Sequence, residues 1–312
     1  MTYSPLVALK EEEGLIKGAP TFDVIDGNVY WVDSAYGGIS PRGSFTNPMT
    51  TIDAAINMCT AGNNDHIFVK AGHSETLSNA TSLNADIADV AIIGLGHGTQ
   101  RPLITLDTAN TATIPVTAAN ILFQNIIFSA NFADIAQLFS LTTAPSFTLL
   151  DCKFTWTASA MNFVDIVDIN TTDNAADDLT IARCEWVDSD TNGGTLVDVD
   201  GDIDGLTVLD NYLLLGVNST STVAMVVSGK DTSNVNIQRN FTYRLDTAGA
   251  ICLITYADTT TTNTGLIAYN QCRHSDTGGE ILATATTEIM WFDNYASGVA
   301  GKSGYLLPAA DS

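Results

Sequence analysis

The sequence predicts an all-β fold, a single-stranded parallel β-helix (a solenoid) that is capped at its N-terminal end by one short helix. A strand-like pattern recurs every 24 to 32 residues, and loops rich in Asn, Asp, Thr and Gly separate its copies. Helical periodicity is confined to one amphipathic segment ahead of the copies. Units of this length do not bury an apolar face alone, so we expect them to stack as successive coils.

The repeat begins near residue 120, and each of its strands alternates apolar and polar residues. Its copies read FQNIIF, LDCKF, IARCEW, VLDNYL, IQRNFT, IAYNQC and WFDNYA. The last six copies align without gaps on a pivot that is always Cys or Asn: Cys152, Cys184, Asn211, Asn240, Asn270 and Asn294. Asn125 precedes Cys152 by 27 residues, although its strand is offset by one.

The pivot predicts a ladder of buried polar side chains. Equivalent residues of stacked coils lie about 4.8 Å apart. An inward Asn at a bend therefore reaches the Asn above and below it and satisfies backbone groups that the bend exposes. Cys is small and readily buried, so it fills the same position. The odd number of cysteines and the lack of a C-x-x-C pair predict reduced thiols at Cys59, Cys152, Cys184, Cys252 and Cys272.

The residue before each pivot predicts a column of outward side chains. Down the stack it reads Asp151, Arg183, Asp210, Arg239, Tyr269 and Asp293. Opposite charges then face each other on neighbouring coils, as they also do at Lys153 and Glu185. Each exposed pair contributes only about 0 to 1 kcal/mol, but a charge ladder helps to set the register.

The amphipathic segment predicts a capping helix at about residues 50–60, with Asn47-Pro48 as its start signal. Ile52, Ala55, Ile56 and Cys59 fall on one face of it, in a pattern suited to covering the open sheet edges at a solenoid end. HIFVKAG would then begin the first coil. The predicted organisation is an N-terminal arm at 1–27, the β-helix domain with its capping helix at 28–300, and a closing segment at 301–312.

Motifs in the first third of the chain carry a resemblance to a known family. VYWVDSAYGG, GSFTNPMTTIDAAINMCTAGNNDHIFVKAGHSETL and VAIIGLG follow one another in the order found in pectin-lyase-like right-handed parallel β-helix proteins, notably those of tailed and often marine phages. The resemblance covers roughly residues 28–300 and implies a right-handed solenoid. The insert after the first strand is shortened to SAYGGISPRGS, and the carboxylate and arginine motifs of the family's lyases and hydrolases are not recognisable.

Composition excludes several classes of partner. The formal net charge is −23, which repels nucleic acid phosphates and anionic lipid headgroups, so we expect neither nucleic acid nor membrane as a partner. No apolar run approaches the ~20 residues of a membrane span. The N-terminus has no basic region followed by an apolar one, which argues against a secretory signal.

Candidate sites are weak, and we expect no catalytic centre, cofactor or metal. Asp200, Asp202 and Asp204 with Gly205 resemble the start of an EF-hand loop, and both a solvated turn and a weak Ca²⁺ site stay open. Sugar hydrolysis needs two carboxylates roughly 5 to 9.5 Å apart, for which Asp165 with Asp168 or Asp188 with Asp190 are candidates. A lyase would want a base such as Arg183 or Arg239, and sugar stacking would want outward rings at Trp156 or Trp291. The scattered histidines are His66, His73, His97 and His274.

The resemblance and the acidic composition together imply a non-enzymatic structural protein of the phage virion. The favoured expectation is a capsid decoration protein on the particle exterior, assembled in the host cytoplasm. Its partners would be the major capsid protein or other virion proteins, and it would form a homo-oligomer, with a trimer favoured. The alternative is a tail spike or fibre protein that binds or cleaves host polysaccharide.

Overall fold

The computed structural model describes residues 27–158, 160–187, 194–215, 224–228, 230–244, 254–256, 263–274, 288–297 and 304–306. Over these ranges the chain forms a right-handed parallel β-helix, which confirms the predicted fold class. The predicted arm and most of the predicted closing segment lie outside the described residues. None of the described helices is long and apolar enough to cross a membrane.

Strands are numbered in chain order, and three long sheets run along the solenoid. The first sheet contains β1 (Val29–Val32), β2 (Asp65–Val69), β4 (Val90–Gly94), β7 (Ile121–Gln124), β10 (Thr148–Leu150), β13 (Thr180–Ala182), β17 (Thr207–Leu209), β21 (Val235–Gln238), β24 (Thr264–Ala268) and β26 (Glu288–Phe292). The second sheet contains β3 (Ser74–Leu77), β5 (Leu103–Leu106), β8 (Ile127–Ala130), β11 (Lys153–Trp156), β14 (Glu185–Val187), β18 (Tyr212–Leu215), β22 (Phe241–Arg244), β25 (Gln271–His274), β27 (Asn294–Ser297) and β28 (Gly304–Leu306).

The third sheet lies between the second and the next coil of the first. It contains β6 (Ile114–Val116), β9 (Ile135–Leu141), β12 (Phe163–Ile169), β15 (Thr195–Val199), β19 (Ala224–Ser228) and β23 (Ile254–Tyr256). A short pair, β16 (Ile203–Asp204) with β20 (Thr232–Ser233), follows it. All these pairings are parallel except that of β27 with β28, which is antiparallel. The solenoid interior is filled by apolar side chains that include Phe123, Phe128 and Phe139.

The pivot residues form the predicted ladder. The backbone N–H and the side-chain amide of Asn211 both donate to Oδ1 of Asn240 at 2.9 Å. Asn240 donates to Asn270 in the same way, and Asn270 donates to Asn294. The remaining amide proton of each of the four asparagines goes to a backbone carbonyl, namely that of Ile181, Val208, Ile237 and Ile267. The backbone N–H of Cys184 donates to Asn211, so the cysteine pivot continues the ladder.

The residue before each pivot adopts a left-handed backbone conformation, which turns the chain from the first sheet into the second. Its φ is 54° at Arg183, 54° at Arg239 and 59° at Tyr269. Asn125 has the same conformation, with φ 58°, and strand pairing on both sides aligns it with Asp151. Asn125 is therefore the residue before the pivot, and Ile126 occupies the pivot of that coil. This alignment accounts for the one-residue offset in the sequence repeat.

The N-terminal cap differs from the prediction in its start and length. A short α-helix, α1, runs only over Ile52–Ile56, and its N-cap is Thr51, whose hydroxyl accepts the N–H of Ala54. Asn47-Pro48 is not its start, because Asn47 closes a turn with Ser44. Ile52, Ala55 and Ile56 are buried and pack toward β1 and β2, as expected of a cap. The first coil begins with β1, which pairs with β2, and not with HIFVKAG.

Candidate functional site

Two outward columns run side by side along the bend between the first and second sheets, and we call them the flank. The first column holds the residue before each pivot: Asp151, Arg183, Asp210, Arg239, Tyr269 and Asp293. The second holds the residue after each pivot: Lys153, Glu185, Tyr212, Phe241, Gln271 and Tyr295. Stacking of coils brings residues that are 24 to 32 positions apart into direct contact here.

The N-terminal part of the flank is charged, and its charged residues form ion pairs with one another. Arg183 donates from Nε and Nη2 to the two carboxylate oxygens of Asp151 at 2.8 and 2.9 Å, and Arg239 does the same to Asp210 at 2.7 and 2.8 Å. Lys153 lies 3.0 Å from Glu185. The hydrogen bonds from Arg239 lower the pKa of Asp210, so this carboxylate stays charged. The predicted charge ladder is confirmed for these pairs.

The C-terminal part of the flank is aromatic, and it begins on the same coils that carry Asp210 and Arg239. Tyr212 and Phe241 stack with ring centroids 5.2 Å apart and planes 5° apart, one coil above the other. Tyr269 meets Phe292 edge to face, with centroids 5.5 Å apart. Tyr212, Tyr269 and Tyr295 expose 44, 45 and 46% of their surface, whereas most large apolar side chains of the described residues are buried. A group of exposed rings of this kind marks an interaction site.

A cleft of about 520 Å³ opens within the aromatic part, and we call it the cleft. Its lining residues are Arg239, Asn240, Phe241, Tyr269 and Gln271. Asn240 is a buried member of the ladder, and the Asp210 carboxylate holds the Arg239 guanidinium in place. The cleft thus combines an aromatic ring, a phenol, an amide and a guanidinium on a backbone that hydrogen bonds fix. Such a lining can stack on an apolar ligand face and hydrogen-bond to its edges.

A second candidate, the acidic cluster, lies on the outer face of the third sheet. It contains the predicted pair Asp165 and Asp168 together with Asp198 and Asp200, and Asp168 stands directly opposite Asp198 in the strand register. Burial, helped by the charges of Asp198 and Asp168, raises the pKa of Asp165 to about 7. Burial and the charge of Asp200 raise the pKa of Asp198 to about 6. The cluster is on a different sheet from the cleft, and the carboxylates perturb one another's ionisation.

The EF-hand-like stretch does not converge on one point. Asp200 belongs to the acidic cluster, and Asp202 accepts the backbone N–H of Asp231 at 3.2 Å. Asp204 accepts hydrogen bonds from Ser233 and Asn234 on the next coil, which lower its pKa. These contacts fit the turn interpretation of the stretch. Among the described residues no three His, Cys, Asp or Glu side chains form a group able to hold a metal ion.

The remaining sequence candidates are dispersed. Asp188, Asp190 and Cys252 lie outside the described residues, as does the side chain of His274. Trp291 packs against the core and Trp156 is half-buried on β11. Cys59, Cys152 and Cys184 are free thiols, and Cys272 is buried on β25. Burial raises the pKa of Cys59 to about 12 and that of Cys184 well above its usual range.

Sequence reasoning named Arg239, Asn240 and Tyr269 but missed the second column of the flank, which supplies Phe241 and Gln271 to the cleft. This column of Tyr212, Phe241, Gln271 and Tyr295 directly follows the pivots Asn211, Asn240, Asn270 and Asn294. Reading the residue after each pivot down the stack would have found the column, because the pivot alignment already fixed the register. The column before the pivot was read in this way, and it supplied Arg239 and Tyr269.

Comparison with known proteins finds similarity to solved structures. No family model and no curated protein matches it. Among solved structures it is similar to a rhamnogalacturonan lyase, with a TM-score of 0.48 and 12% identity over 87% of this chain and 74% of that one. It is similar to a pectate lyase, with a TM-score of 0.44 and 11% identity over 91% and 82% of the two chains.

A phage protein also appears among the similar structures. The tailspike protein of E. coli bacteriophage HK620, solved in complex with a pentasaccharide, has a TM-score of 0.40 and 10% identity, over 87% of this chain and 60% of its own. At such identities the likeness is one of fold alone. What this chain shares with all three proteins is the parallel β-helix.

Proposed function

We propose that this protein binds polysaccharide in the cleft of the flank. The observation that carries the proposal is the stacked pair Tyr212 and Phe241, of which Tyr212 is exposed and Phe241 half-buried, beside the exposed Tyr269. A pyranose ring presents a C–H face that packs on an aromatic ring and hydroxyls that reach hydrogen-bonding groups at its edge. Phe241 and Tyr269 supply the apolar contacts, and Gln271 with Arg239 supply the polar ones.

The ladder beneath the cleft supports binding because its hydrogen bonds already fix the backbone there. The ladder holds Asn240 through five hydrogen bonds: it donates three, from its N–H and its amide, and accepts two from Asn211 at its Oδ1. A rigid site loses little conformational entropy on binding, so a shallow cleft can still retain an extended ligand. A polysaccharide offers many equivalent sugar units, and copies of the protein on one particle would add avidity.

The biological setting that we propose is the exterior of a phage particle, in the manner of a tail spike or fibre that recognises host polysaccharide. Capsid decoration is the second candidate, and the net charge of −23 favours it, since it keeps crowded particles apart and repels released genomic DNA. In that case the major capsid protein would be the partner and a homotrimer the favoured assembly.

The test is direct binding. The full chain would be applied to an array of bacterial surface polysaccharides, and the best ligand titrated by calorimetry. Phe241→Ala and Tyr269→Ala should each weaken binding about tenfold, since each removes one buried aromatic contact of roughly 1 to 2 kcal/mol. Phe132→Ala is the matched control, because Phe132 is an exposed ring outside the flank.

Equal affinity of the Phe241 and Tyr269 variants and the wild type, with all three folded by circular dichroism, would rule out the cleft. Wild-type protein that binds nothing on the array would overturn the polysaccharide proposal. A tail location in purified particles would favour the spike role, and hundreds of copies on the head would favour decoration.

A further inference from the structure

We infer that the cleft takes a neutral polysaccharide and rejects polyuronates and other anionic glycans. The inference rests on the proposed function and adds the class of ligand. It follows from how the one cationic group of the lining is paired and from the charges around it.

Arg239 is the single cationic residue among the described residues that line the cleft, and its charge is already matched. Its Nε and Nη2 donate to both carboxylate oxygens of Asp210 on the preceding coil, at 2.7 and 2.8 Å. These two N–H donors are the ones that a guanidinium would otherwise offer together to a sugar carboxylate. The raised pKa of Arg239, caused by the same hydrogen bonds, agrees with a pair that stays ionised.

The surroundings add repulsion for an anion. The whole chain carries 35 acidic against 12 basic residues, whereas the flank pairs of Asp210 with Arg239 and of Glu185 with Lys153 are each locally neutral. A polyuronate that entered the cleft would therefore meet a negative potential with no unmatched cation in the described lining.

The groups that remain suit hydroxyl-rich neutral sugars. Gln271 offers an amide with both a donor and an acceptor, Tyr269 offers a hydroxyl, and Arg239 keeps N–H donors that Asp210 does not use. Phe241, backed by Tyr212, supplies the stacking surface. None of these contacts needs a charge on the ligand.

The experiment compares ligand classes on one protein. Short linear oligomers of glucose, of N-acetylglucosamine and of galacturonate would be titrated against the full chain at low ionic strength. We expect a neutral oligomer to bind and the galacturonate oligomer to bind at least about tenfold more weakly. Asp210→Asn should then raise the affinity for galacturonate relative to the neutral oligomer about tenfold, because Arg239 gains an unmatched charge, and added salt should cancel that gain.

The matched control is Asp151→Asn, which frees Arg183 from an equivalent pair away from the cleft and should leave the ratio of affinities unchanged. Wild-type protein that binds galacturonate as well as a neutral oligomer would overturn the inference while the proposed function stands. An unchanged ratio in Asp210→Asn would show that the Arg239 pair does not select the ligand, which also overturns it. Loss of all binding to neutral and anionic oligomers alike would instead count against the proposed function.

Discussion

Asn211 and Asn240 lie one coil apart, and a single side-chain oxygen of Asn240 receives both the backbone N–H and the amide N–H of Asn211 at 2.9 Å. The same geometry recurs at the next two pivots, so one residue type fixes the bend and the spacing of the coils together. Both asparagines are buried, and each hydrogen bond is made away from competing water.

Asn240→Ala should lower the free energy of unfolding by about 2 to 4 kcal/mol, because the two donors of Asn211 lose a buried acceptor. Chemical denaturation monitored by circular dichroism would measure the change. Asn236→Ala is the control, since Asn236 points outward from the same coil, and it should cost less than about 0.5 kcal/mol. Equal effects of the two substitutions would mean that the ladder is not a source of stability.

Asp65→Ala should loosen the N-terminal end of the solenoid. The buried carboxylate of Asp65 accepts the N–H groups of Asn28 and Thr60 and the amide of Asn63, at 2.6, 2.7 and 2.6 Å. Removing it leaves these donors without an acceptor, at a cost of about 3 kcal/mol. Hydrogen exchange should quicken in β1 and β2 but not in β12. Uniform exchange across the three strands would contradict a local role.

Asp165→Asn should stabilise the protein at about pH 8 and not at about pH 4. The pKa of Asp165 is about 7 in the folded chain, well above the usual value of 3.8. The folded state therefore binds more protons than the unfolded state between these values, and stability falls as the pH rises through that window. Removing the group should recover about 2 kcal/mol above pH 7, after allowance for solvent screening.

Melting temperatures of wild type and Asp165→Asn over this pH range would provide the measurement. Asp86→Asn, which changes an exposed carboxylate outside the acidic cluster, is the control and should not reproduce the stabilisation by Asp165→Asn at about pH 8. A difference in melting temperature between wild type and Asp165→Asn that stays the same from pH 4 to pH 8 would contradict the prediction.

Deletion of residues 1–25 should abolish association with the particle if the arm attaches the protein, while the solenoid stays folded. An extended arm can add main-chain hydrogen bonds to a strand edge on its partner. Co-sedimentation of wild-type and truncated protein with particles that lack it would test this, with circular dichroism as the check on folding. Full recovery of the truncated protein on particles would exclude the arm as the attachment.

The sequence was sufficient for those features that depend on equivalent positions in successive coils. The pivots at Asn211, Asn240 and Asn270 predicted the ladder, and the residues before them predicted the Arg–Asp pairs. In each case the alignment of the copies on the pivot without gaps carries the signal. The fold could be predicted because residues that align in this way must lie on stacked coils.

Features set by local backbone geometry were not predictable in this way. Nothing in the residue types of Arg183, Arg239 or Tyr269 signals a positive φ, which they adopt because the coil must turn there. The helix start was wrong because Asn47-Pro48 fits a tight turn as well as it fits a helix N-terminus. Phe241 and Gln271 of the cleft follow the pivots directly and could have been found from the alignment, whereas the cleft itself depends on the packing of side chains from neighbouring coils.

The antiparallel pairing of β28 with β27 has a consequence for crowding. Fibrils built from solenoids grow when the last coil of one molecule templates the first coil of the next, strand on parallel strand. Here the final described strand of the second sheet runs the opposite way. At the other end, the N–H of Trp31 on β1 donates to the carbonyl of Gly43, and the carbonyl of Trp31 accepts the N–H of Met49. Head-to-tail polymerisation is thereby blocked at both of these edges. At these two edges, dense packing of molecules does not offer a free parallel strand to a neighbour.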